Sequence, residues 1–188
     1  MEDYRVEVLR DVPALAYAPL PQVERLAQLF DVRDYRDEDL CSEGGPPDRL
    51  FVLGEGQAEV IKAAGDDRRY KVATLLPGVL FGHVGVLTDQ PRTASVRAIG
   101  KVRVLEMSAS RARALLRGED FEAASPFRRA LIVALSRQLF SATATTMQLA
   151  TDAGLTVEAA TGDAREPARR PVPDDVEEQI LRAQGQQV

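Results

Sequence analysis

The chain is poor in the residues that build covalent and metal frameworks. Its 188 residues include one cysteine (Cys41), one histidine (His83) and no tryptophan. A single thiol excludes a disulfide scaffold and a cysteine-rich zinc site. One histidine beside one cysteine cannot form the usual metal centre of a jelly-roll enzyme, so no metal and no cofactor is expected. No apolar run approaches the roughly 20 residues of a membrane span. The opening residues MEDYRVEVLRDV lack the basic start and apolar stretch of a signal peptide. The net charge of -5 argues against a chain that wraps nucleic acid. A cytoplasmic protein with no membrane and no nucleic-acid partner is expected. Cys41 has no histidine near it in sequence and reads as a buried spectator. The pairs Asp66-Asp67 and Asp174-Asp175 sit in polar stretches and read as solvated, not as acid/base dyads.

Apolar spacing divides the remainder. Val6 and Leu9, then Val23, Leu26, Leu29 and Phe30, mark two short N-terminal helices, with Pro21 suited to the first turn of the second. Residues 31–108 read as short strands between turns: Leu50-Phe-Val-Leu53, a break at Gly54-Glu-Gly56, a resumption at Ala58, a turn at 65–69, and Tyr70 to Leu76. The strands at 94–99 and 102–107 flank Gly100 and are expected to pair with each other. Such a series suggests a small antiparallel barrel or jelly roll. Ser108 and Ser110 are candidate caps for a helix at 109–117, and Ser125-Pro126 for a long helix. In it Leu131, Leu135, Leu139, Ala142, Thr146 and Leu149 approach a heptad seam, fitting either packing on the barrel or pairing with a second copy. Arg128 and Arg129 are expected on its exposed face. Two regions follow: 1–150, and an acidic, proline-containing tail at 151–188 with a possible short helix at 174–184. The tail holds eight acids against four arginines, and so most of the net charge.

Residues 81–96, FGHVGVLTDQPRTASV, carry the candidate chemistry. Gly82 and Gly85 can free backbone N–H groups for an anion. Arg92 can grip two phosphate oxygens at once, and Thr93 can add a hydroxyl. By themselves these residues fit a structural loop as well as an anion site.

This segment resembles the phosphate-binding cassette of cyclic nucleotide-binding domains. The match lies in Phe81-Gly82, Val84-Gly-Val-Leu87 and Pro91-Arg-Thr-Ala-Ser95. Similar residues recur at Val12-Pro13, Leu50-Phe-Val-Leu53 with Gly56, Leu75 with Pro77-Gly78, and Val96-Arg-Ala98, so the resemblance covers about residues 5–150. It implies a mainly β fold with flanking helices: an eight-stranded antiparallel β-roll (jelly roll), N-terminal helices and a long C-terminal helix. It further implies that Arg92, Thr93, Gly82 and Gly85 bind phosphate, and that Val84, Gln138, Ala142 and Thr143 are base-contacting candidates. Position 83 would meet the ribose 2′-hydroxyl. The family has glutamate there and this chain has His83. A neutral imidazole accepts one hydrogen bond and brings no charge, which costs about 1.5–3 kcal/mol of affinity. An imidazolium would instead favour the phosphate below about pH 6.5.

The expected function is a non-catalytic sensor of a cyclic nucleotide, cAMP or cGMP, that signals through its C-terminal helix to a protein partner or a homodimer along 126–150. The alternative is a degenerate member that keeps the fold as a ligand-free interaction or dimerisation module. The stretch 151–188 is shorter than the winged helix of the family's transcription factors, so DNA binding is not expected.

Overall fold

The computed structural model describes residues 3–64 and 68–152. Asp66-Asp67, Asp174-Asp175, the tail from 153 and its expected helix at 174–184 lie outside the described residues. In chain order the elements are α1 (Tyr4–Asp11), α2 (Leu20–Ala27), β1 (Asp31–Arg36), β2 (Asp39–Cys41), β3 (Arg49–Ala64), β4 (Arg68–Leu75), β5 (Leu80–Phe81), α3 (His83–Thr88), β6 (Ser95–Ser108), α4 (Ala109–Arg117) and α5 (Phe121–Asp152). The chain divides into two compact units, 1–141 and 142–188.

β3 and β6 carry the sheet, pairing antiparallel from Arg49↔Ser108 to Ile61↔Ser95. β1 and β2 pair with β6, while β4 and β5 pair with β3. Strand alternation assigns each face its own core. Leu50, Val52, Leu105 and Met107 pack with helix residues such as Leu9, Val23, Leu115 and Phe127. Phe51, Leu53, Val102 and Val104 join Leu40, Phe81 and Ala98 in a second cluster. Burial on both faces explains why 50–53 is an unbroken apolar run.

The antiparallel sheet and the flanking helices agree with the expectation, but the strand count differs. Six strands form the sheet among the described residues, not eight. β3 runs through Gly54-Glu-Gly56, with register shifts between Leu53 and Gln57 absorbing the bend. Gly56 makes this possible: its φ is 84°, and a Cβ there would lie 2.5 Å from the Lys101 carbonyl oxygen. β6 likewise runs through Gly100, so 94–99 and 102–107 do not pair with each other. Both lie along β3.

Ser108 caps α4 as expected, its side chain accepting from the Arg111 N–H. α5 starts earlier than Ser125-Pro126. Asp120 caps it, the carboxylate accepting from the Ala123 N–H at 3.3 Å and the carbonyl from the Ala124 N–H at 2.7 Å. Pro126 therefore lies inside the helix. The expected seam splits: Leu131 is buried in the core, whereas Leu135 and Leu139 are exposed together with Ile132. Ala142 and Thr146 are exposed, and the side chain of Leu149 lies outside the described residues.

Burial sets the expected response to truncation. Leu105→Ala removes a fully buried side chain and lowers the unfolding free energy by about 2–5 kcal/mol in urea denaturation. Tyr17→Ala, at a side chain 94% exposed, changes it by less than about 0.5 kcal/mol.

Candidate functional site

The site is assembled on β5 and the turn that follows it. Phe81 on β5 pairs with Phe51 on β3, and their rings stack with centroids 4.9 Å apart. The chain then turns at Gly82 into α3. Gly82 has φ 74°, and a Cβ there would lie 2.9 Å from Arg92 Nη1. Both the backbone angle and the space require glycine. Gly85, inside α3, is also tight: a Cβ would meet the Gln90 carbonyl at 3.0 Å and Pro47 at 3.1 Å.

Arg92 lies beneath this turn with only 5% of its surface exposed. Nη1 donates to the Gly82 carbonyl at 2.8 Å and Nη2 to the Arg49 carbonyl at 2.5 Å, with Asp48 Oδ1 at 3.4 Å. The guanidinium also faces the Phe51 ring, 5.9 Å from its centroid. Backbone bonds fix its base: the Arg92 N–H donates to the Gly45 carbonyl at 3.0 Å, and the Gly44 N–H donates to the Arg92 carbonyl at 2.9 Å. Nε is buried and has no hydrogen-bond partner. A guanidinium offers five N–H donors, and those left uncommitted here suit the oxygens of an anion.

His83 opens α3 beside Gly82 and is 5% exposed. Neither ring nitrogen has a hydrogen-bond partner. Burial pushes the imidazole from 6.5 down to about 4, against a smaller upward pull from the Gln138 side chain. The ring is therefore neutral over the range in which the sequence suggested an imidazolium. A phosphate-favouring charge at His83 below about pH 6.5 is corrected accordingly.

The other expected residues are distributed as follows. Val84 is half-buried on α3. Thr93 is exposed, and its carbonyl accepts from Lys62 Nζ at 2.6 Å. Gln138 is exposed on α5. Ala142 and Thr143 are exposed in the second unit. The structure thus brings Gly82, His83, Val84, Gly85 and Arg92 together.

Sequence reasoning missed what stands behind Arg92. Asp48 and the Arg49 carbonyl hold its guanidinium, while the Arg49 side chain reaches buried Glu106 at 2.9 Å. Tyr35 donates its hydroxyl to the same carboxylate. Burial and that bond raise the Tyr35 phenol above its ordinary range. Only Glu106, between Leu105 and Met107, hints at such a network in the sequence. Arg128, expected on an exposed face, instead donates to the Leu116 carbonyl at 2.9 Å.

Comparison with known proteins adds a family. The cyclic nucleotide-binding domain family matches residues 35–119. The cAMP-dependent protein kinase regulatory subunit of Dictyostelium discoideum is 30% identical over 109 residues, covering 56% of this chain and 33% of that protein. A CRP-like cAMP-activated global transcriptional regulator of Mycobacterium tuberculosis is 31% identical over 80 residues, covering 43% of this chain and 36% of that protein. The chain therefore spans about a third of the length of these curated relatives. A cyclic nucleotide-binding domain from Methylobacillus flagellatus superimposes with a TM-score of 0.68 at 19% identity, over 77% of this chain and 82% of that one. That likeness shows a shared fold.

The buried ring has a consequence for stability. The unfolded chain takes up a proton near pH 6.5 and the folded one only near 4. The contribution of a neutral His83 is complete above about pH 6.5 and is lost as the pH falls toward 4, by up to about 3 kcal/mol. Urea denaturation between about pH 7 and 4.5 shows this slope, and His83→Gln flattens it.

Proposed function

We propose, from the match of residues 35–119 to the cyclic nucleotide-binding domain family, that this chain is a non-catalytic cytoplasmic sensor that binds a cyclic nucleotide at the Arg92 turn. One observation carries the reading. Arg92 Nε and both nitrogens of His83 are buried without partners on either side of Gly82. A buried polar group without a partner is destabilising by about 1–3 kcal/mol, and a ligand that supplies the partner recovers it. Arg92 takes the phosphate oxygens, with Gly82, Gly85 and Thr93 around them. His83 meets the ribose, and Val84 and Gln138 are the base-facing group. Relatives described as cAMP-dependent and cAMP-activated favour cAMP over cGMP.

The output passes through α5. Ile132, Leu135 and Leu139 are exposed at spacings of three and four residues, as a helix that pairs with a second copy or a protein partner requires. The same stripe supports the second reading, a ligand-free dimerisation module, which the neutral ring at position 83 also favours.

Calorimetric titration with cAMP and cGMP separates the two. Wild type binds cAMP; Arg92→Ala weakens binding by about a hundredfold or more, and Arg92→Lys, which keeps the charge without the fork, still weakens it. His83→Glu strengthens binding by about ten- to a hundredfold. No heat from wild type at about millimolar ligand, with tight binding by His83→Glu, overturns the sensor reading in favour of the degenerate module.

A further inference from the structure

α3 has only six residues, ending at Asp89 in a left-handed conformation with φ 55°. A helix this short does not persist by its own hydrogen bonds, so its position depends on what holds it. Its N-terminal end belongs to the site already described. Its C-terminal end is held from outside. Arg113, on α4, donates from Nε to the Val86 carbonyl at 3.1 Å and from Nη2 to Asp89 Oδ1 at 2.5 Å. A cation on the last carbonyls of a helix satisfies groups that have no partner within it and complements the helix dipole.

The same device recurs one helix later. α4 ends at Gly118, and Arg128 from α5 donates to the Leu116 carbonyl at 2.9 Å and the Leu115 carbonyl at 3.3 Å. The C-termini of α3 and α4 are therefore each gripped by an arginine of the following helix.

We propose that Arg113 is a positioning residue for the anion-binding turn, and that Arg113 and Arg128 form a two-step relay coupling the position of α3 to that of α5. The inference deepens the nucleotide-binding reading and rests on it for its meaning: it supplies the route by which a ligand at Arg92 reaches the output helix. Neither arginine touches the ligand position. Each acts through the backbone carbonyls it holds.

Hydrogen–deuterium exchange of the full chain tests the relay, first without ligand. Arg113→Ala speeds exchange at 83–88 by about two- to fivefold. Arg128→Ala speeds the same amides, although Arg128 contacts none of them. The double variant is no faster than Arg113→Ala alone, because both changes break one path. Arg113→Lys, which keeps the ion pair with Asp89 but loses the fork, recovers part of the wild-type rate. Amides of β3 keep their rate throughout. The relay is overturned if Arg128→Ala leaves 83–88 unchanged, if the two substitutions add, or if β3 accelerates in step, which marks general destabilisation.

The second arm adds saturating cAMP. In wild type it slows exchange at 109–135. Arg113→Ala binds cAMP more weakly by calorimetry and, at saturation, confines the slowing to 81–95. Slowing at 109–135 that persists in Arg113→Ala overturns the coupling. If wild type binds no cAMP, the nucleotide reading fails, while the ligand-free arm still decides the relay.

Discussion

A guanidinium with 5% of its surface exposed is the constraint around which this site is built. Burying a cation is costly unless its charge and its donors are met. Here two carbonyls, one carboxylate and an aromatic face meet most of that need. Each partner carries a demand of its own. The Gly82 carbonyl is in reach only because residue 82 has no side chain. The Arg49 carbonyl and the Phe51 ring are in place because β3 pairs with both β5 and β6. The Arg49 side chain in turn answers Glu106, which Tyr35 also satisfies. The result is one continuous polar network from Arg92 through Asp48 and Arg49 to Glu106 and Tyr35.

His83 gives the site its individual character. A carboxylate at this position would bring a fixed negative charge near Arg92. The imidazole, held neutral by burial, leaves Asp48 as the carboxylate that balances the guanidinium. The residue does not decide the fold, because Val86 is held by the core and the backbone of α3 by α4.

What was legible in the sequence follows the range of the interactions. Gly82, His83, Gly85 and Arg92 lie within eleven residues of one another, so their grouping could be read directly. Strand alternation and the Ser108 cap are equally local. Asp48 and Arg49 act on Arg92 from more than forty residues away, and no periodicity links them. Asp120 was passed over because Ser125-Pro126 offers a stronger start signal, which the core overrode by burying Ala123 and Ala124. The breaks expected at Gly54, Gly56 and Gly100 are continuous strand. Glycine marks turns and bulges alike, and only the partner strand decides between them. Arg128 looked solvated because its partners are backbone carbonyls, which leave no trace in a sequence.

The most direct test of anion capture at Arg92 is the arginine side-chain nitrogen spectrum during titration with cAMP. Capture predicts a saturable shift of the Arg92 Nε–H resonance, while Arg5, ion-paired with Asp3 at the surface, stays in place. Saturable binding that leaves the Arg92 resonance where it was contradicts the assignment of this buried guanidinium as the ligand's anchor.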